Sequence, residues 1–156
     1  MTGGLSILPL QAGADAEACA ALLASSEPWR TLGLGQAALL AQIQDPGRER
    51  YVARMGDRLA GYLALTLQGA FVGYVQTICV APGFRNLGLG AELIAFAEAR
   101  IFRDHPNVFL CVSAFNHGAR RFYARLGYAA VGELTDYLIA GQSEILMRKT
   151  RGPKLP

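Results

Sequence analysis

Two glycines, Gly88 and Gly90, stand where an apolar run gives way to helical spacing. The stretch reads Ile78-Cys79-Val80-Ala81-Pro82-Gly83-Phe84-Arg85-Asn86-Leu87-Gly88-Leu89-Gly90. A strand ends, a loop follows and a helix opens. Glycine lets backbone N–H groups come close to a ligand. The helix N-terminus adds partial positive charge. Together they suit a phosphate or pyrophosphate. Two common phosphate loops are excluded. A Walker loop requires Lys and then Ser or Thr after its second glycine, but Gly88 is followed by Leu89-Gly90. A dinucleotide fingerprint requires Gly or Ala three residues after Gly90, where Leu93 stands. Gly33-Leu34-Gly35-Gln36-Ala37-Ala38 does fit that fingerprint, but no buried strand precedes it. It reads as a chance match in a loop between helices.

What survives is R-x-x-G-x-G, formed by Arg85, Gly88 and Gly90 after a strand ending in V-x-P. This resembles the GNAT superfamily of acyl-CoA-dependent N-acetyltransferases. A second segment strengthens the resemblance. Asn116, Ala119, Tyr123 and Gly127 lie within N-H-G-A-R-R-F-Y-A-R-L-G-Y, similar to that family's N-x-x-A-x-x-x-Y-x-x-x-G-[FY] pattern. Both occur in the family's order, with a buried strand between them.

The resemblance implies acetyl-CoA as co-substrate and no metal. The N–H groups of Arg85, Asn86, Leu87, Gly88, Leu89 and Gly90, with Ala91 in the same turn, would cradle the coenzyme A pyrophosphate. Ile78, Cys79 and Val80 would pair their backbone with the pantetheine arm. One of their N–H groups would polarise the thioester carbonyl. Asn116 would contact the pantetheine or hold the strand exit. Tyr123 would protonate the departing thiolate, a task suited to a phenol that is still a donor at neutral pH.

Alternatives stay open at several of these positions. Tyr123 lies on the apolar stripe of its helix and could be packing. Asn116 could cap that helix. Cys79 reads as a packed thiol, not an acetyl-enzyme nucleophile. The chain also departs from the family pattern. Leu87 stands where a polar or basic residue is usual, so phosphate binding would lean on backbone and Arg85. Residues 71–80 contain no carboxylate, so the general base is open among a water relay, a neighbouring carboxylate and an amine that arrives deprotonated.

The elements that must position these residues follow from periodicity. Strands are expected over 5–10, 50–55, 59–67 and 71–80, with turns at Gly56-Asp57 and Gln68-Gly69-Ala70. Asp15 would cap a helix through about Ser25, with Ala18, Ala21 and Leu22 inward, and a second helix would span 36–44. From Leu89, apolar residues at Leu93, Ile94, Ala97 and Ile101 predict a helix. The continuous apolar run 107–113 predicts a fully buried strand. Ala119, Phe122, Tyr123 and Leu126 predict a helix stopped at Gly127. Strands at 129–134 and 144–148 finish the order βααβββαβαββ. This is an α/β class chain, an α+β mixed sheet in one domain over 1–150. The sheet would be mostly antiparallel and splayed between its fourth and fifth strands. Residues 151–156 would be a frayed basic tail.

Composition bounds the partners. The chain has 156 residues, 52% hydrophobic and 17% charged, enough for one packed domain. A net charge of +3 is too mild to imply nucleic acid. Residues 59–84 carry no charge, but Gln68, Gln76 and Pro82 argue for buried strands over a membrane span. Three cysteines, Cys19, Cys79 and Cys111, are an odd count with apolar flanks, which suits buried thiols in a reducing cytoplasm. No secretory leader or membrane partner is expected, and a homodimer is allowed.

The acceptor is the open question. The Pro28-Trp29 turn and the stretch from Asp136-Tyr137 to Glu144-Ile145-Leu146-Met147 resemble the bacterial ribosomal-protein N-terminal alanine acetyltransferases. That implies a protein or peptide α-amine, with Trp29, Asp136 and Tyr137 near it. An α-amine has a pKa near 8 and needs little help from a base. The acceptor-side carboxylate candidates, Glu27, Glu133, Asp136 and Glu144, are few and scattered, which weighs against a polycation. A small-molecule amine and a non-catalytic CoA-binding sensor module are the alternatives.

Overall fold

The computed structural model describes residues 3–156. Hairpins build its first half. β2 (Glu49–Met55) turns at Gly56-Asp57 into β3 (Arg58–Thr66), and β3 pairs antiparallel with β4 (Tyr74–Val80). β1 (Leu5–Pro9) adds to β2 as an edge strand, where Pro9 costs no ladder bond. β5 (Asn107–Ser113), β6 (Ala129–Thr135) and β7 (Ser143–Thr150) complete one sheet of order β1-β2-β3-β4-β5-β7-β6. Among the described residues, only the β4–β5 pair is parallel. The uncharged stretch thus becomes two strands, and no helix among the described residues is long and apolar enough to cross a membrane.

Each face of the sheet is covered by helices. α1 (Ala14–Ala24) and α2 (Gln36–Ile43) lie on one face, packed with Val52, Tyr62, Ala64 and Cys79. α3 (Leu89–Ile101) and α4 (His117–Arg125) serve the other, with Leu63, Leu65, Leu110 and Met147. β3 is therefore buried on both sides, and Leu63 and Leu65 are fully inaccessible. Each such side chain contributes about 1.5–3 kcal/mol by leaving water. Ion pairs fasten α3 at both ends of the sheet. Arg100 grips Glu49 of β2 at 2.6 and 3.0 Å, and Lys149 of β7 meets Glu98 at 3.0 Å.

Several expectations change. Asp15 does not cap α1, because the N-cap is Gly13. Asp15 accepts the Gln11 N–H and pairs with Arg54 of β2 instead. The buried face of α1 is Ala16, Cys19, Ala20, Leu22 and Leu23, and Ala18 and Ala21 are exposed. In an alanine-rich helix, every face reads as apolar, so periodicity could not choose one. The strand expected over 71–80 begins only at Tyr74, after a longer loop. β5 alternates instead of being buried throughout, because only Val108, Leu110 and Val112 face the α3 core. The start of the tail is tied down. The Arg151 N–H donates to Pro106 O at 2.9 Å, and its guanidinium stacks on Phe102.

Candidate active site between the parted strands

A single extra residue opens the sheet. In the β3–β4 ladder, Ala64 faces Thr77 and Leu65 faces Val75, so Gln76 is a bulge. A bulge bends its strand and shifts the alternation by one residue. Val75, Ile78 and Val80 therefore share the α3 side, whereas Cys79 packs among α1 and α2. The parallel pairing ends at the same point. β4 meets β5 only at Tyr74↔Phe109 and Val75↔Leu110. Beyond Val75 the strands part, and one edge of β4 faces the gap with its backbone groups unpaired by β5. Its other edge stays satisfied by β3 and, at the end, by the bond from Ala81 N–H to Ala60 O.

The gap is a cavity of about 400 Å³. β4 contributes Gln76, Thr77 and Ile78, and α4 contributes Asn116, Ala119 and Tyr123. The α4 motif is explained by its caps. The Asn116 side chain accepts the Ala119 N–H at 3.2 Å. At the far end Gly127 is left-handed (φ +95°), and the N–H groups of Gly127 and Tyr128 return to Ala124 O and Tyr123 O, a Schellman stop. The caps fix the length and rotation of α4, which aims Tyr123 at the gap. Tyr123 is 7% exposed, and burial pushes its phenol well above the usual tyrosine range. It is a proton donor at any physiological pH. Asn116 caps α4 and also lines the cavity.

The glycine loop follows the end of β4 and opens α3. A 3-10 turn, Pro82–Phe84, leads to Asn86 (φ +62°) and Gly88 (φ +82°), which is the N-cap of α3. The first helical bond runs from Glu92 N–H to Gly88 O, leaving the N–H groups of Leu89, Gly90 and Ala91 without intrahelical partners. A left-handed loop feeding a helix start presents its N–H groups in the form that suits an anion. Gly90 has a second role: a Cβ there would lie 3.3 Å from Phe122, so it lets α3 approach α4. Leu87 is 73% exposed. Arg85 lies beside the end of β4. Its Nε donates to Val80 O at 3.1 Å, and its Nη2 lies 3.4 Å from Ser26 Oγ, so the guanidinium braces the end of β4.

Burial pushes the Cys19 thiol up to about 12, and it raises Cys79 as well. Neither is a thiolate at neutral pH, and Cys79 is outside the cavity wall. Iodoacetamide at pH 8 should leave Cys19 and Cys79 unlabelled in the native protein and modify both in denaturant. Native labelling of Cys79, read by mass spectrometry, would reopen a covalent acetyl-enzyme.

On the acceptor side, Trp29 and Tyr137 line the cavity. Asp136 does not. It is left-handed (φ +53°), and its carboxylate accepts the Gly141 N–H at 2.7 Å, shaping the β6–β7 loop. Tyr74, Ser113 and Leu138 also line the cavity and were not among the sequence-derived site residues; of the four acceptor-side carboxylates, Glu27 and Glu144 line it and Glu133 and Asp136 do not. Glu144 carried a signal, a carboxylate opening the apolar run Ile145-Leu146-Met147.

Comparison with known proteins now decides the family. Residues 14–128 match the model of the Acetyltransferase (GNAT) family. This chain belongs to the GNAT family. The match includes both glycines of the loop and the whole of α4. A blasticidin-S acetyltransferase from Streptomyces morookaense is 33% identical over 90 residues, covering 53% of this chain and 66% of that protein. The matched stretch thus spans just under two thirds of the first curated relatives. Two solved structures share the fold. The ribosomal-protein-S18-alanine N-acetyltransferase from Escherichia coli aligns with a TM-score of 0.75 at 17% identity, covering 98% of this chain and 99% of that one. An aminoglycoside 6'-N-acetyltransferase complexed with coenzyme A aligns with a TM-score of 0.74 at 19% identity, covering 97% and 99%. The parallel β4–β5 pair and its splay are the GNAT arrangement.

Proposed function

We propose that this chain transfers the acetyl group of acetyl-CoA to a primary amine by direct attack in a ternary complex. The observation that carries the reading is the β4–β5 gap, which sets a protonated phenol, Tyr123, across from an unpaired strand edge. The free β4 N–H groups are donors for a carbonyl oxygen that becomes an oxyanion. The free N–H groups at the start of α3 suit a pyrophosphate. Tyr123 delivers a proton to the sulfur that leaves. Proximity supplies much of the rate, because both reactants would meet in one cavity. The family match and the coenzyme A named with one fold relative support this reading.

For the acceptor we infer a single amine, with a protein or peptide α-amine as the first choice. The GNAT relatives named above act on both proteins and antibiotics, so kinship alone does not choose between them. The narrow carboxylate supply of the cavity supports that first choice over a polycation: among the described residues, Glu27 and Glu144 are the carboxylates that line it. Free thiols at Cys19, Cys79 and Cys111 suit a reducing compartment such as the cytoplasm.

Thermal unfolding tests the co-substrate. Acetyl-CoA at about 100 times its dissociation constant adds roughly 2.7 kcal/mol. The melting temperature should rise by about 5–10 °C, with no rise from NADH or ATP. An unchanged melting temperature would remove the acetyl-CoA reading and the roles of Tyr123 and Asn116 with it. If acetyl-CoA binds but no amine is acetylated, the sensor reading takes its place.

A further inference from the structure

Glu144 stands at the start of β7 directly opposite Ser113 of β5. It is 5% exposed, yet its Oε2 has no hydrogen-bond partner, and it belongs to none of the ion pairs among the described residues. Ser113 is 1% exposed, and its Oγ is equally unpartnered. The two lie close without a well-directed bond between them. Buried polar groups in native proteins are nearly always paired, since leaving one unpaired is costly. Here two orphans meet at one point, and that point is the cavity wall. The arrangement makes sense if the partner arrives from outside.

We propose that Glu144 receives the acceptor: its carboxylate pairs with the incoming ammonium group and takes the proton that must leave before attack. The proposal rests on the acetyl-transfer reading above. Val112 and Ile145 face the α3 core, so their neighbours Ser113 and Glu144 face the other side of the sheet. Tyr123 belongs to the α3 core. Base and acid therefore address the gap from its two sides, as separate amine and thioester entries require. The titratable groups around Glu144 are Tyr74 of β4, Cys111 of β5 and, near Tyr74, Tyr137. None is a cation. Burial raises the Glu144 carboxyl, and the nearby Ser113 hydroxyl opposes that rise. A carboxylate poised upward is the better base near neutrality. The other charged groups of the wall are engaged. Arg48 is held by Asp45 at 3.4 Å, and Glu27 accepts the Thr31 hydroxyl at 2.6 Å.

One buried carboxylate takes one ammonium. Trp29, Tyr74, Tyr137 and Leu138 offer apolar or aromatic surface around it. The substrate class is therefore an amine with one positive charge and an apolar or aromatic neighbour, in preference to a polycation. The step balances as follows. The ammonium gives one proton to Glu144, and the freed nitrogen lone pair bonds to the thioester carbon. The carbon–sulfur bond then breaks, and sulfur takes the Tyr123 proton. The second nitrogen proton restores the phenol, and Glu144 releases its proton to solvent. The products are the amide, the thiol and one proton.

The test uses the full chain with acetyl-CoA and three amines: an alanine-initiated peptide, tyramine and spermidine. The wild type should favour the two monocations. Glu144→Gln should keep the acetyl-CoA melting shift and lose at least about 100-fold in kcat/KM. For the peptide, whose α-amine has a pKa near 8, that deficit should narrow as pH rises above 8. Without ligand at pH 8, Glu144→Gln should melt about 2–4 °C higher, because an uncompensated buried charge is gone. Two results overturn the proposal while leaving acetyl transfer intact. One is turnover within about threefold of wild type on every accepted amine. The other is a lower melting temperature, which would mean the carboxylate has a partner inside the fold. A wild type that binds acetyl-CoA and acetylates none of the amines overturns the transfer reading itself, and Glu144 as its base.

Discussion

Tyr123→Phe should bind acetyl-CoA like the wild type and transfer acetyl groups about 100-fold more slowly, or worse. Losing a positioned general acid costs about 10²–10⁴ in rate. The ring itself is retained. It still packs edge-on against Phe122 and Tyr128, with centroids 5.2 and 5.9 Å away. The core around α4 is then unchanged, and the melting temperature should stay within about 2 °C of wild type, as for substitutions that leave packing intact. That combination separates chemistry from packing. A tyrosine serving only the core would leave turnover untouched. The pH profile adds a sign. Burial raises this phenol, so it stays protonated past the ordinary tyrosine pKa near 10. Wild-type activity should show no alkaline loss from this group at pH 9–10. Steady-state release of coenzyme A, with the melting shift as the binding control, reads both arms. Full turnover by Tyr123→Phe would remove the phenol from the mechanism.

Gly73→Ala should be the most damaging small substitution near the site. Gly73 is left-handed (φ +91°), and a Cβ there would collide with Asn107 O and lie 2.8 Å from Ile101 Cγ2. Its own carbonyl accepts the Phe109 N–H at 2.9 Å, at the start of the short parallel contact. An alanine in this conformation costs about 1–2 kcal/mol. The clash with fixed backbone adds about 1–3 kcal/mol. Together these predict a loss of about 2–5 kcal/mol, or a fall of about 5–20 °C in melting temperature. Gly69→Ala is the control. It has φ +98° but open space around it, so only the conformational cost of about 1–2 kcal/mol applies. Differential scanning calorimetry of both variants checks the contrast. Equal melting temperatures would mean that β4 and β5 do not approach as closely at Gly73 as described.

Local chemistry is what the residues announce by themselves. α3 and α4 are legible because each carries its own boundary: the left-handed Gly88 before one, Asn116 and Gly127 around the other. The order of elements follows for the same reason, and so does the family, since both of its segments are contiguous in the chain. Where the signal is not local, it fails. α1 is too rich in alanine to reveal its buried face. The late start of β4 and the Gln76 bulge depend on pairing with β3, a partner distant along the chain. The guanidinium of Arg85 turns to Val80 and Ser26, which no motif foretells.

The sequence by itself determined that a strand, a glycine loop and a capped helix follow one another, and that a tyrosine lies on that helix. These are matters of backbone preference, capping and periodicity within a few residues. Only the tertiary structure decided that the two central strands part after Val75, and that Tyr123 and Glu144 share one cavity. β7 must insert between β5 and β6 before Glu144 can stand opposite Ser113. Burial then strips water from one carboxylate, Glu144, among the four that the chain offers alike on the acceptor side. Its chemistry comes from desolvation, which depends on what packs around it and not on its neighbours in sequence.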